Sequence, residues 1–148
     1  MTAAKLEVIE RKRAFFRQYL HDLAVYGALD AAGRRREHYA IERLLQLLCE
    51  SAADLSLQVL KASGQVPPGS YREIFSALSD LGAMPGAMAA ELIAACGMRN
   101  LLTHLYDVID LGRVIAAVEP ALALYRTYDA WLSDYLAPAA GPSAPPRD

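Results

Sequence analysis

The chain has 148 residues, 54% of them hydrophobic and 22% charged, and a net charge of −2. This length suits one domain with its own core. The charge balance excludes binding to nucleic acid through overall charge, so any RNA contact needs a local basic patch. The N-terminus lacks the apolar stretch of a signal peptide, and the most apolar segment, residues 83–98, falls short of a membrane span. We therefore expect a cytoplasmic protein that makes no membrane contact.

The first half of the chain predicts two long helices joined by a turn. Apolar residues spaced three, four or seven apart define a helix that ends near Gly27, and the same pattern recurs over residues 41–59. Between them, Gly33 and the basic run 34–36 predict a turn. The second helix is expected to end at the Gly- and Pro-rich segment 63–69.

Two further helices are predicted after this segment. Ser70 and Glu73 form a capping-box pattern that opens a short helix to about residue 81. Pro85 suits the first turn of a fourth helix, which is predicted to continue to about residue 108. No strand-like alternation and no internal repeat occur in the sequence.

The last predicted helix starts after Asp110, a suitable N-cap, and Pro120 within it predicts a kink or a later start. Residues 137–148 are rich in proline and alanine, and we expect them to be disordered. Residues 1–136 then form one helical domain. The predicted fold class is all-α, an antiparallel bundle of four to five helices.

The two cysteines, Cys49 and Cys96, each lie in an apolar helical pattern, which predicts buried thiols rather than a disulfide. No Glu-x-x-His pair and no Gly-rich phosphate loop occurs in the sequence. We therefore predict no metal site and no cofactor bound by this chain.

Polar residues cluster in the second half of the fourth predicted helix. On an ideal helix they fall within an arc of about 160°, opposite the large aliphatic residues of the same segment. The polar set consists of Arg99, Asn100, Thr103, His104, Tyr106 and Asp107. Such an arc is also compatible with an ordinary solvated helix face.

This set contains the groups needed to cleave a phosphodiester without a metal. A guanidinium such as that of Arg99 matches phosphate, and an imidazole such as that of His104 exchanges protons near neutral pH. Asn100, Thr103 and Asp107 are predicted to support them. Arg99 and His104 lie about 140° apart on an ideal helix, so a single copy converges poorly and a homodimer with a shared groove is predicted.

The same segment resembles the HepT family of the HEPN superfamily, the toxins of bacterial toxin–antitoxin pairs. The family motif, Arg-x4-His-x-Tyr, is matched by Arg99, His104 and Tyr106, with Asn100 and Asp107 at the usual flanking positions. The stretches 39–43 and 66–75 are similar to the family as well. The resemblance covers roughly residues 3–136.

This resemblance implies a HEPN-like helical fold and a metal-independent endoribonuclease that acts as a symmetric dimer, with Arg99 and His104 catalytic. It also implies a type VII-like toxin–antitoxin system, in which a minimal nucleotidyltransferase antitoxin neutralises the toxin by AMPylating Tyr106. The ATP and Mg²⁺ would belong to that partner. The alternative is a non-catalytic helical module that binds a nucleotidyltransferase or a nucleotide.

The basic run Arg34, Arg35 and Arg36 is the candidate for RNA contact beside the site. Short basic runs at helix ends also simply face water or complement a helix dipole. The sequence leaves both interpretations open.

Overall fold

In a computed structural model, the backbone is described for residues 1–104 and 111–138, and the side chains for residues 1–97 and 111–138. These residues form helices and no strand, which confirms the predicted all-α class. The helices are α1 (Ala3–Gly27), α2 (Ala31–Arg36), α3 (His38–Ala62), α4 (Tyr71–Asp80), α5 (Gly86–His104) and α6 (Leu111–Leu136). The predicted helices correspond to α1, α3, α4, α5 and α6. None of the described helices is long and apolar enough to cross a membrane.

The helix ends follow from local side-chain chemistry. The Ser70 hydroxyl accepts a hydrogen bond from the Glu73 amide at 3.2 Å, as the capping-box pattern predicted. The Glu73 carboxylate in turn accepts from the Gly69 amide at 3.1 Å. At the end of α3, Gly64 adopts a φ of 78°, a conformation that favours glycine and stops the helix where the sequence predicted.

The segment around Gly33 is a short helix rather than the predicted turn. The Asp30 carboxylate accepts a hydrogen bond from the Gly33 amide at 2.7 Å, and this cap satisfies a donor that a six-residue helix would otherwise leave unpaired. The sequence analysis overlooked Asp30 as a helix start.

Pro120 lies inside α6, which runs without interruption from Leu111 to Leu136, so the prediction of a late start is wrong. Proline removes the hydrogen bond to the carbonyl of residue 116. Both Ala116 and Pro120 are exposed, so water can satisfy that carbonyl and the helix continues. Asp110, the predicted N-cap, lies outside the described residues, as do residues 105–108 of the fourth predicted helix.

Helix α3 lies at the centre of the bundle, since twelve of its 25 residues are buried and it packs against α1, α4, α5 and α6. From α1, the side chains of Ile9, Phe16 and Leu23, seven residues apart, enter the core. The guanidinium of Arg13 is also buried, and it pairs with Asp129 of α6 at 3.0 Å.

Polar contacts fix the directions of the helices around α3. Ser56 and Ser63 of α3 contact Tyr128 and Tyr135 of α6 in the same order along both helices, so these two helices are parallel. The Trp131 indole of α6 donates to the Ala83 carbonyl, just before α5 begins, at 2.9 Å. Helix α5 therefore starts beside the end of α6 and runs antiparallel to α3 and α6.

The Cys49 and Cys96 sulfurs join α3 and α5 across the core. Both side chains are buried and their Sγ atoms lie 3.2 Å apart as thiols, which confirms the prediction of buried thiols. Burial raises the pKa of the adjacent Tyr125 well above its ordinary value, and the electrostatic influence of Cys49 and Cys96 adds to this effect. The phenol thus stays neutral in the core.

Tyr128 supplies a buried hydrogen-bond network between α3 and α6. Its hydroxyl donates to the Ala52 carbonyl at 3.0 Å and lies 2.8 Å from the Ser56 hydroxyl. Burial raises the pKa of Tyr128, so the hydroxyl keeps its proton as a donor. This network fixes the register of the two helices.

Replacing Tyr128 with phenylalanine should lower the free energy of unfolding by about 2 kcal/mol, because it leaves the buried Ser56 hydroxyl and Ala52 carbonyl without their partner. Urea unfolding followed by circular dichroism measures this change. The matched control is Tyr135→Phe, which removes a 3.3 Å contact at the surface and should change stability by less than about 0.5 kcal/mol. Equal losses in the two variants would contradict the assigned network.

Candidate active site

The predicted catalytic residues lie in the C-terminal turns of α5. The backbone of Arg99, Asn100, Thr103 and His104 is helical and continuous with the rest of α5, as the sequence predicted. Their side chains lie outside the described part of the chain. Tyr106 and Asp107 lie outside it entirely. The structure thus places four of the six predicted site positions on one helix end.

The antiparallel packing sets which elements adjoin that helix end. The pair Cys49 and Cys96 marks the level at which α3 and α5 face each other. From this level, the C-terminal turns of α5 and the N-terminal turns of α3 run in the same direction through the bundle. The start of α6, at Leu111, belongs to the same end because α6 is parallel to α3.

The N-terminal turns of α3 carry a buried acidic residue, Glu42, beside His38. The His38 Nδ1 lies 3.5 Å from the Glu42 Oε2, and the two side chains are 20% and 9% exposed. The His38 Nδ1 and the Glu42 Oε1 have no hydrogen-bond partner within the described residues. The His38 ring also stacks against Tyr39, with the ring centroids 4.0 Å apart.

Sequence analysis missed that Glu42 is buried. A signal was available, because Glu42 lies three residues from Leu45 and seven from Cys49, on the apolar side of α3. Charged side chains are rarely buried unless they are paired. An acidic residue at a core position of a helix is therefore a stronger candidate for a functional role than an acidic residue on the solvent-facing side.

The basic run 34–36 divides into one internal and two exposed residues. The Arg34 guanidinium donates to the Leu29 carbonyl at 3.2 Å and to the Gly27 carbonyl, and it pairs with Glu119 of α6. Arg35 and Arg36 are exposed. Arg34 therefore ties the end of α1 to α6, and only its two neighbours present their charges to solvent.

An apolar groove lies between α5 and α6. It has a volume of about 880 Å³ and is lined by alanines of both helices, with Leu45 and Tyr125 at its floor. The α5 residues Ala94 and Ala95 line it, four to five residues before Arg99. The helix that carries the predicted catalytic residues thus also forms one wall of an open apolar surface.

The described side chains contain no group of three or more His, Cys, Asp or Glu residues placed to hold a metal ion. The chemistry predicted for this end of the bundle uses a guanidinium and an imidazole. Such a pair can steady an anionic phosphate and transfer a proton.

The chain matches a family model described as Ribonuclease HepT-like over residues 9–128. Among curated proteins, it is 28% identical over 142 residues to the tRNA nuclease HepT of Aphanizomenon flos-aquae (strain 2012/KM1/D3), and the alignment covers 92% of this chain and 95% of that protein.

Two solved structures show the same fold. The cytosolic protein YutE from Bacillus subtilis, described as of unknown function, superposes with a TM-score of 0.75 at 23% identity, covering 93% of this chain and 94% of that one. A tri-AMPylated Shewanella oneidensis HEPN toxin, solved in complex with an MNT antitoxin, gives a TM-score of 0.74 at 20% identity, covering 90% and 99% of the two chains.

Replacing Arg34 with glutamine should lower the free energy of unfolding by about 1–2 kcal/mol, since the carbonyls that end α1 lose a charged donor. The ion pair with Glu119 should contribute little to this loss, because the Glu119 side chain is exposed to solvent. Arg35→Gln is the matched control and should change stability by less than about 0.5 kcal/mol. Urea unfolding compares the two, and a larger loss in Arg35→Gln would contradict the internal role of Arg34.

Proposed function

The chain belongs to the HepT-like family, as its Arg-x4-His-x-Tyr segment predicted, and on this premise we propose that it is a metal-independent endoribonuclease of a toxin–antitoxin system. The observation that carries the proposal is the placement of Arg99 and His104 on the last turns of one helix, α5. The relative named as a tRNA nuclease, which aligns over nearly the whole chain, supports an RNA substrate.

The proposed reaction needs only groups of the chain and of the RNA itself. His104 accepts the proton of a ribose 2′-hydroxyl, whose oxygen attacks the adjacent phosphorus. Arg99 stabilises the negative charge that builds up on the phosphorane-like state. The bond from phosphorus to the 5′-oxygen then breaks, this oxygen takes up a proton, and a 2′,3′-cyclic phosphate remains. DNA lacks the attacking hydroxyl and should not be cut.

We propose that the active form is a homodimer. Arg99 and His104 lie about 140° apart around α5, so one copy directs them away from a common point. A two-fold axis near α5 would bring the residues of both copies into one cleft. The apolar groove between α5 and α6 favours this arrangement, because it offers the dimer an apolar surface on the helix that carries both residues.

The proposed regulator is a minimal nucleotidyltransferase antitoxin that transfers AMP from ATP onto Tyr106. ATP and Mg²⁺ belong to that partner, and this chain supplies the phenol. Tyr106 lies about 20° from Arg99 on an ideal helix, so the added phosphate would occupy the position of the RNA phosphate. The HEPN toxin of Shewanella oneidensis, described as tri-AMPylated and in complex with MNT, supports this part of the proposal.

The second candidate function is a non-catalytic helical module that binds a nucleotidyltransferase or a nucleotide. It keeps the fold and the antitoxin contact but requires no proton transfer by His104. RNA cleavage separates the two candidates, because the module predicts that neither the wild type nor any variant cuts RNA.

Purified wild-type protein should cut single-stranded RNA in the presence of excess chelator and leave 2′,3′-cyclic phosphate ends. Arg99→Ala and His104→Ala should each lower the rate by about 100-fold or more, because each removes a group that acts in the transition state. Gel analysis of end-labelled RNA and mass spectrometry of the fragments measure both effects. The matched control is Arg126→Ala, an exposed arginine of α6 far along the helix from the site, which should retain the wild-type rate.

Equal cleavage by wild type and both site variants would identify the activity as a contaminant and reject the nuclease assignment.

Co-expression with the nucleotidyltransferase should add AMP, in steps of one nucleotide mass, to the wild type but not to Tyr106→Phe. In cells, expression of the chain alone should arrest growth, because the nuclease is then active without its antitoxin. The Arg99→Ala variant should relieve this arrest.

The dimer proposal predicts that a charge in the groove dissociates the protein. Ala94→Arg should shift the mass measured by light scattering from dimer to monomer, because the arginine places an unpaired charge at an apolar interface. Ala94 is exposed in the isolated chain, so folding should be preserved. Ala130→Arg, at an exposed position of α6 outside the groove, should leave the dimer intact. A dimeric Ala94→Arg protein would place the interface elsewhere.

A further inference from the structure

The sulfurs of Cys49 and Cys96 face each other across the contact between α3 and α5. Their Sγ atoms are 3.2 Å apart, although the two residues are 47 positions apart in the sequence. A disulfide needs a separation of about 2.05 Å, so the sulfurs must approach by about 1.2 Å to form one. This distance is small beside the pitch of a helix, about 5.4 Å, so the bond can form while α3 and α5 keep their register.

An open cavity reaches one of the two sulfurs. It has a volume of about 670 Å³, lies between the start of α4 and the middle turns of α5, and is lined by Cys96 and Gly97 but not by Cys49. No atom of the described residues outside the local helix lies within 4 Å of the position that a Cβ on Gly97 would take. The wall of the cavity is therefore open beside Cys96.

The cavity makes the two cysteines unequal. Cys96 is 7% exposed and lines the cavity, whereas Cys49 is 2% exposed and lies behind it. Buried cysteines are inert when no reagent can reach them. In this chain, a small reagent can reach the Cys96 sulfur in the folded state, and the Cys49 sulfur is already within contact distance of it.

A bond between the two sulfurs would act on the helix that carries the predicted catalytic positions. Cys96 precedes Arg99 by three residues, so the bond would join α5 to the central helix α3 about one turn before that position. Cross-links between residues far apart in the sequence restrict the unfolded chain and thereby stabilise the folded one. Oxidation would thus fasten α5 to α3.

We propose that Cys49 and Cys96 form a redox-active dithiol, which a small peroxide converts into an intramolecular disulfide that locks α5 onto α3. The Cys96 thiolate attacks one oxygen of hydrogen peroxide, the O–O bond breaks, and a sulfenic acid and one water result. The Cys49 sulfur then attacks the Cys96 sulfur, the S–O bond breaks, and the leaving oxygen departs with the Cys49 proton as a second water. Two thiols are oxidised and one peroxide is reduced. The proposal does not depend on RNA cleavage.

The disulfide and the order of attack are tested with hydrogen peroxide on the full, folded chain. Peptide mass spectrometry after alkylation should find residues 49 and 96 linked within one chain, with both thiols restored by dithiothreitol. Cys49→Ala should instead accumulate a sulfenic acid on Cys96, trapped by dimedone. Cys96→Ala should leave the Cys49 thiol unmodified over the same time. A wild-type protein that keeps both thiols, or that oxidises them without linking them, overturns the proposal.

Access through the cavity is tested by comparing oxidation rates in the wild type and Tyr128→Phe. If peroxide reaches Cys96 in the folded state, the two rates should agree within about twofold. If the cysteines react only in the unfolded chain, the destabilised variant should react roughly 30-fold faster, because its unfolded population is larger by that factor. The faster rate would overturn the assignment of the cavity as the route.

The lock is tested by thermal unfolding of the reduced and oxidised protein. The oxidised wild type should unfold at a Tm about 10 °C above that of the reduced form, and dithiothreitol should reverse the shift. The matched control is the double variant Cys49→Ala, Cys96→Ala, which keeps every methionine and should show no rise in Tm after the same treatment. An equal or lower Tm for the cross-linked wild type overturns the lock.

Discussion

The burial of α3 at the centre of the bundle is the constraint on which the other placements depend. Helices α1, α4, α5 and α6 all pack against this one helix, and polar contacts across the core set the registers of α1 and α6. The Tyr128 hydroxyl, held by Ala52 and Ser56, fixes α6 relative to α3. The buried Arg13 ties α1 to α6 through Asp129. A shift of one helical turn would separate these partners and leave buried polar groups unsatisfied, which is far less favourable than the native register.

That register determines where the chemistry can occur. Helix α5 begins beside Trp131, near the end of α6, and its last turns therefore lie with the first turns of α3 and α6. Small residues on α5 and α6 leave an apolar groove along the preceding turns of α5, as far as Ala94 and Ala95. Helix α5 thus carries the predicted catalytic positions in its last turns and an apolar surface suited to a second copy in the turns before them. This combination links the proposed reaction to the proposed dimer.

The basic residues of the chain divide into those that hold the fold together and those that face solvent. With a net charge of −2, the chain has no general attraction for RNA. The Arg34 guanidinium donates to the carbonyls at the end of α1, so only Arg35 and Arg36 of the run 34–36 present their charges to solvent. Under the proposed function, binding of RNA would then depend on the site itself, where a guanidinium from each copy of the proposed dimer would meet the phosphate.

The sequence by itself determined the fold class, the end of α3 at Gly64, the start of α4 after Ser70, and the position of the Arg-x4-His segment on a helix. It could do so because helical periodicity, capping residues and Gly-Pro breakers act locally along the chain. It failed at Asp30, where a cap formed an extra helix, and at Pro120, where exposure of the preceding turn allowed α6 to continue. Only the tertiary structure decided that Arg34 contacts the end of α1 and that Glu42 is buried beside the half-buried His38, because burial and pairing depend on which helices meet and in which direction.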